Sequence, residues 1–243
     1  MPSVFAIIPA RSGSKGVPGK NVKLLGGRSL LEWSVKACLK SKFIDDVYVS
    51  TDSQEYANLA ICFGAKAPFL RPREISGDTS TDLEFMKQSL AWFRQETILP
   101  DYIVHIRPTT PFRSPVILDE AIKLFVRSKN FTALRSVHEM SESAYKSLEI
   151  SCDGFLKELM SENTSLDAAN EPRQSFPKTF MANGYVDVLS VSFIQGRNQL
   201  HGDRVLPFVT PEVVEVDTLQ DFDYLEYQLS KNSNYYDQLF IDD

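Results

Sequence analysis

Three observations predict an α/β chain built on a mostly parallel sheet, with an inserted arm. Short apolar, β-rich runs alternate with amphipathic stretches from residue 4 to residue 137, the signature of successive βαβ units. A loop rich in glycine and lysine follows the first apolar run, at the end of a strand, where α/β sheets open their ligand crevices. From about Met140 to Met181 the alternation stops, and it resumes afterwards.

The elements follow in order. Residues 4–8 (Val-Phe-Ala-Ile-Ile) read as the first strand. Ser29 is a plausible N-cap for a helix through Ser41, with Leu31, Val35, Cys38 and Leu39 on one face. Residues 47–50 form a second strand, and residues 54–63 a short helix stopped by Gly64. A third strand is expected over 65–70, ending at Arg71-Pro72. Leu83, Met86, Leu90 and Phe93 recur at helical spacing and predict a helix over 81–96. Residues 102–106 are a central strand, Pro115 opens a helix to Ser128, and 132–137 is another strand. The segment 140–181 is polar, with weak alternation at 146–150, a turn at Asp153-Gly154 and an irregular run from Ser165 to Gln174. Such an arm more often packs on another subunit than folds alone. Strands are expected again at 185–191 and 213–216, then a closing helix over 219–229 and a polar tail over 232–243.

Length and composition bound the function. The 243 residues suit one α/β domain, 1–243, carrying the arm as an insertion. A hydrophobic content of 43% is enough for a sizeable core. A net charge of −6 argues against a nucleic-acid or anionic-membrane partner. A basic loop on an acidic chain suggests a small anionic ligand instead. Cys38, Cys62 and Cys152 form neither a disulfide framework nor a zinc pattern, and two of them are expected in the core. No apolar run approaches the roughly 20 residues of a membrane span. The opening Met-Pro-Ser lacks a basic n-region, so a cytoplasmic protein is expected.

The loop Ala10-Arg-Ser-Gly-Ser-Lys-Gly-Val-Pro-Gly-Lys-Asn21 is the most informative stretch. Glycine lets backbone amides approach and face an anion. Arg11, Lys15 and Lys20 exceed what one phosphate requires, and a triphosphate is the natural guest. A P-loop needs four residues between its first glycine and Gly-Lys, then Ser or Thr. Here five residues separate Gly13 from Gly19, and Asn21 follows Lys20. No G-x-G-x-x-G is present either.

Three further stretches, Ser50-Thr-Asp52, Arg107-Pro-Thr-Thr-Pro-Phe-Arg113 and Val214-Glu-Val-Asp217-Thr, follow the loop in order, together with Pro172-Arg-Gln174 and Asn183-Gly184. In these the chain resembles the CMP-sialic acid synthetases (acylneuraminate cytidylyltransferases) over nearly its whole length. The resemblance implies a three-layer, Rossmann-like nucleotidyltransferase fold with a dimerisation arm. It implies transfer of CMP from CTP to the anomeric hydroxyl of a nine-carbon α-keto acid sugar, with release of pyrophosphate. Catalysis would be positioning and charge stabilisation. Arg11, Lys20 and Asp217 are then the candidate catalytic groups. Ala10, Arg11, Ser14, Lys15, Gly16, Lys20 and Asn21 would hold the nucleotide, with Arg71 and Asp78-Thr79-Ser80 around cytosine and ribose. Asp78-Thr79-Ser80 reads equally as a helix N-cap.

Magnesium, with manganese as a substitute ion, would take Asp217, at the end of a strand, and Glu215, two residues before it and on the same face of that strand. Asp217 also reads as the cap of the helix at 219. Lys146 and Arg173 of the arm would reach the sugar carboxylate in a partner subunit, making a functional homodimer. Arg107, Thr109, Asn183 and Asp187 would face the sugar. Arg107 stands where the sialic acid enzymes carry Gln, and Asp187 where they carry Tyr, so the two either pair with each other or read other substituents. Legionaminic and pseudaminic acids are therefore substrates to weigh beside N-acetylneuraminate. His105 and His138 lie in apolar or strand-like runs and receive no role. The alternatives are CMP transfer to an eight-carbon keto-deoxy acid, a pyrophosphorylase for sugar 1-phosphates, and a non-catalytic CTP-binding module.

Overall fold

The computed structural model describes residues 2–159 and 166–241. Strand β1 (Val4–Pro9) lies inside the sheet. Its Val4, Ala6 and Ile8 point into one apolar core and its Phe5 and Ile7 into another. A strand covered on both faces carries no polar alternation, which is why this run is uniformly apolar. A two-residue hairpin, β2 (Leu24–Leu25) and β3 (Arg28–Ser29), leads into α1 (Leu30–Leu39), whose first turn is capped by the Ser29 hydroxyl accepting from the Glu32 amide. Then come β4 (Asp46–Ser50), α2 (Gln54–Cys62), α3 (Asp82–Gln95) and β5 (Tyr102–His105). They are followed by α4 (Pro115–Arg127), β6 (Ala133–Glu139), and the short β7 (Leu148–Ile150) and β8 (Leu156–Glu158). The chain closes with β9 (Phe180–Ser190), α5 (Val191–Arg197), β10 (Val205–Val209), α6 (Leu219–Lys231) and α7 (Asn234–Phe240).

The main sheet has the order β10-β6-β9-β5-β1-β4. The β1–β4, β1–β5 and β6–β10 pairs are parallel, and β9 runs antiparallel between β5 and β6. Helices α1, α2 and α4 contribute to the core on one face, and α3 and α5 to that on the other. The sheet is thus the middle of three layers, as expected. Where β9 meets β6 the register slips between Arg135 and Val137, opposite Asn183 and Gly184, and Gly184 takes a φ of +63°. At that irregularity Gly184 lies against Thr110, Arg107 and Glu215: a Cβ there would sit 3.3 Å from the Thr110 hydroxyl.

Several local expectations are corrected. Residues 65–70 form no strand of the sheet and pair with the β4 region through isolated bridges, Lys66 with Tyr48 and Leu70 with Thr51, because Pro68 cannot donate to a ladder. Residues 213–216 are irregular. The strand beyond β6 is β10, one of the two edges of the sheet, where Pro207 is tolerated because the strand has a neighbour on one side alone. Ser190 ends β9 and caps α5 by accepting from the Phe193 amide, so Val191 is helical. The expected polar tail contains α7: Tyr236 and Phe240 pack edge-on against Trp33, and Tyr235 stacks on Phe112 at 4.5 Å. The last two residues of that tail lie outside the described residues. Of the cysteines, Cys38 alone is buried, and burial pushes its thiol up to about 12.

The arm leaves the end of the β6–β9 ladder, whose last pair is Glu139 with Phe180, so Phe180 and Met181 belong to β9 and not to the arm. Within it, β7 and β8 form a hairpin across Asp153-Gly154, with Gly154 at a φ of +82°. Part of the expected arm, residues 160–165, lies outside the described residues, including the start of the irregular run.

Candidate active site

The loop after β1 is fixed by the core. The Ala10 amide continues the ladder by donating to the Ser50 carbonyl at 2.9 Å. The Asp52 carboxylate takes both the amide (2.8 Å) and the hydroxyl (2.9 Å) of Ser12. The Asn21 side-chain amide donates to the Arg11 carbonyl at 2.9 Å. Gly16 sits so close to the Asp217 carbonyl that a Cβ would lie 2.7 Å from it. Only glycine lets the loop dock there.

A cleft of 520 Å³ opens beside this loop. Arg11, Ser14, Lys15, Gly16, Lys20 and Asn21 line one side of it. Arg71, Asp78, Ser80, Arg107, Thr109, Glu215 and Asp217 supply other walls. Ala10 is buried beneath the loop, and Thr79 and Asn183 do not line the cleft. Asn183 donates to the Thr210 hydroxyl at 2.7 Å and accepts from the Tyr185 amide, so it holds the irregularity of β9. Asp187 lies behind Arg107, fully buried, and is not part of the wall.

The cations are arranged around acids that a phosphate could replace. Arg11 Nη1 and Lys15 Nζ both reach Asp78, at 3.0 and 2.5 Å. The Lys15 hydrogen bond, more than that of Arg11, holds the Asp78 carboxyl below its usual range. Lys20 Nζ donates to the Val216 carbonyl at 2.6 Å and to Asp217 Oδ1 at 3.2 Å. Arg71 is buried, donates to the Ser50 carbonyl at 2.8 Å and stacks over Phe85 at 4.5 Å. Burial pushes it down to about 10, so it remains charged at neutral pH.

Asp217 is not the cap of α6. Thr218 is the cap, and Asp221 accepts the Asp217 and Thr218 amides at 2.8 and 2.7 Å. This leaves the Asp217 carboxylate facing the cleft with 74% of its side chain exposed. Between Glu215 and Asp217, Val216 turns inward, fully buried, and its amide donates to the Thr109 carbonyl at 2.8 Å. The Thr109 hydroxyl donates to Glu215 Oε1 at 2.9 Å. Both carboxylates therefore line the cleft, although the segment is a loop and not the expected strand. The capping of α3 falls to Thr81 with Glu84, not to residues 78–80.

Three contributors escape sequence reasoning. Arg113 is completely buried and pairs with no carboxylate among the described residues, and burial pushes it down to about 10. It donates to the carbonyls of Arg107 (2.7 Å), Gly184 (2.8 Å), Tyr185 (2.6 Å) and Thr110. One guanidinium thereby ties the 107–111 loop to the irregularity of β9. Asp82, at the start of α3, and Phe85 also line the cleft. Lys146 and Arg173 are not brought to it. Lys146 donates to the Glu171 carbonyl at 3.2 Å, and Arg173 pairs with Glu139 at 3.2 Å in the arm.

No group of three or more His, Cys, Asp or Glu side chains converges to hold a metal among the described residues. Asp217 and Glu215 instead offer oxygen donors beside a cationic loop. This donor set suits a hard divalent cation that takes its remaining ligands from substrate phosphates and water.

A twisted, mostly parallel sheet with a glycine-rich cationic loop and two acids at its strand ends defines a nucleotide-handling α/β protein. The chain belongs to the cytidylyltransferase family, whose model matches residues 5–152, more than half its length. It is 37% identical over 121 residues to the CMP-N,N'-diacetyllegionaminic acid synthase of Legionella pneumophila, covering 50% of this chain and 52% of that one. It is 38% identical over 136 residues to the N-acylneuraminate cytidylyltransferase of Escherichia coli, covering 55% of this chain and 31% of that one. These matches span about half and a third of the relatives. The pseudaminic acid cytidylyltransferase of Campylobacter jejuni aligns over 230 residues at 25% identity, covering 90% and 93% of the two chains. The resemblance seen in the sequence motifs therefore holds. In fold, the chain is similar to a CMP:2-keto-3-deoxy-manno-octonic acid synthetase complexed with CTP, with a TM-score of 0.69 at 14% identity over 94% of this chain and 99% of that one.

Proposed function

We propose that this protein transfers CMP from CTP to the anomeric hydroxyl of a nine-carbon α-keto acid sugar and releases pyrophosphate. The observation that carries the reading is the convergence of Arg11, Lys15, Lys20 and Arg71 with Glu215 and Asp217 on one cleft at the strand ends. The relatives supply the substrate class: N,N'-diacetyllegionaminic, N-acylneuraminic and pseudaminic acids.

In this reading the triphosphate enters against the loop of residues 10–21, and its oxygens displace Asp78 from Arg11 and Lys15. Charge-assisted contacts of this kind contribute roughly 1.5–3 kcal/mol each. Lys20 holds the phosphates beside Asp217 and offsets charge gathering on the departing pyrophosphate. Arg71 and the 78–80 turn border the nucleoside. Asp217 and Glu215 would hold magnesium or manganese, which supplies further charge neutralisation when bound. The sugar's carboxylate is met by Lys146 and Arg173 of a partner subunit's arm, giving a homodimer with shared sites. Exposed Ile150 and Phe155 give that arm an apolar surface suited to a partner. No helix among the described residues is long and apolar enough to cross a membrane, and we place the reaction in the cytoplasm, where CTP is available.

The test is pyrophosphate release from CTP and magnesium with N-acetylneuraminic, legionaminic, pseudaminic and eight-carbon keto-deoxy acids. Turnover of a nine-carbon acid in preference to the eight-carbon one is expected. Tight CTP binding without turnover of any sugar acid would overturn the reading in favour of a non-catalytic module.

A further inference from the structure

Arg107 projects into the cleft already compensated by two acids. Its Nη1 donates to buried Asp187 Oδ2 at 3.0 Å, and its Nη2 to Asp82 Oδ2 at 2.8 Å. Asp187 is locked in place because β9 runs between β5 and β6, which sets it directly opposite both His105 and Arg135. His201 Nε2 lies 3.4 Å, and His105 Nδ1 3.8 Å, from its Oδ2. Arg135 Nε lies 3.8 Å from its Oδ1. Burial opposes ionisation of Asp187, but His201 and Arg107 hold its carboxyl well below the usual range. Burial likewise opposes the charge on Arg107, and Asp187 and Asp82 hold it above its ordinary value.

The consequence is that Arg107 is shared between Asp82 at the wall and Asp187 behind it, with Arg135 also beside Asp187. A ligand carboxylate brought to Arg107 would meet the charge of Asp82 at close range. This wall is therefore poorly suited to the acid group of the sugar. Asp82 lies in the first turn of α3, where the helix N-terminus favours a carboxylate. Its side chain is 41% exposed. Its Oδ1 accepts no hydrogen bond among the described residues, so it offers a fixed acceptor to the cleft. Arg107 has five N–H donors and spends two on the acids. Side by side, the pair presents one acceptor and several donors, the complement of an amide.

We infer that Asp82 and Arg107, backed by Asp187, form a specificity subsite for an acylamino substituent of the sugar. The N–H of that substituent donates to Asp82 and its carbonyl accepts from Arg107. Asp187 acts through Arg107 as a positioning residue. The inference rests on the nine-carbon sugar reading and deepens it.

The experiment compares an acylamino nine-carbon acid with its acyloxy isostere, in which an ester oxygen replaces the N–H and the carbonyl is kept, in wild type, Asp82→Asn and Asp82→Ala. Substrate N–H groups facing a dedicated acceptor give discrimination of roughly 10–100-fold, and kcat/KM of the wild type should favour the acylamino sugar by that amount. Both variants should reduce the preference to within about threefold, mainly through KM for the sugar, with KM for CTP little changed. Because Asp82 is partly exposed, thermal melting should show both variants folded. A retained preference would overturn the inference. So would a rise in KM for CTP with equal loss on both sugars, which would assign Asp82 to the nucleotide. Absence of wild-type turnover on both sugars would instead take down the proposed function and the subsite with it, without any variant being involved.

Discussion

The loop of residues 10–21 and the arm that follows β6 both carry lysine and arginine, yet they are held in opposite ways. The loop is pinned by partners far away in sequence: Ser50, Asp52 and the 216–217 backbone each fix part of it. The arm's cations pair within the arm or at its root, Lys146 with the Glu171 carbonyl and Arg173 and Lys178 with Glu139. Its apolar side chains also lack cover, with Ile150 and Phe155 about three-quarters exposed at 75% and 74%. A loop anchored by the core can preorganise charge for a ligand by itself. An arm anchored mainly to itself, with apolar surface outward, needs a second surface before its charges have a function.

The largest effect should come from breaking the anchored region. Asp217→Ala removes a carboxylate that faces the cleft and leaves the cap of α6 to Thr218 and Asp221. Loss of one preorganised charge-stabilising group costs about 10²–10³ in kcat, and that fall is expected in pyrophosphate release. The melting temperature should stay close to wild type. Activity within a few-fold of wild type would remove Asp217 from the chemistry.

A smaller but more discriminating effect separates the two regions. On the proposed shared site, in which the arm's cation serves the neighbouring cleft, Arg173→Ala should lose activity. Mixed with Asp217→Ala chains, it should regain about a quarter of wild-type activity, since half of randomly assorted dimers carry one intact composite site. If sedimentation shows mixed dimers and activity does not return, the arm serves no neighbouring site. The comparison would then reduce to a cationic site beside a bare protrusion.

The same contrast explains what was legible in the chain. β1, β4, β5 and helices α1 to α4 follow from local apolar runs and helical spacing, so they could be read directly. The cationic loop could also be read, because its glycines and lysines are contiguous. The structure of α7 depends on Trp33 and Phe112, about 200 and 120 residues upstream in the fold's core, and no local pattern announces it. β10 was hidden by Pro207, which only an edge position permits. Arg113 stood inside a recognised motif, but its clamp on Arg107, Gly184 and Tyr185 exists only once β9 returns beside β5. Asp82 and Asp187 gained meaning the same way, through strand order and not through spacing.

The smallest expected effect tests how closely the anchored region is packed. His105 lies in β5, fully buried, and burial together with Arg107 pushes its imidazole down to about 4. In the unfolded chain the same group titrates near 6.5, so above that pH both states are neutral and the full stability is present. As pH falls from 6.5 toward 4, the unfolded state takes up a proton that the folded state refuses, and stability declines. The difference amounts to about 3 kcal/mol at most. Urea unfolding between pH 7.5 and 4.5 should show this slope, and His105→Gln, which cannot titrate, should flatten it. The exposed Glu139 pairs of the arm should add little, because solvent screens them. An unchanged slope in His105→Gln would mean that the proton goes elsewhere, and that the buried group around Asp187 is more open to water than its burial implies.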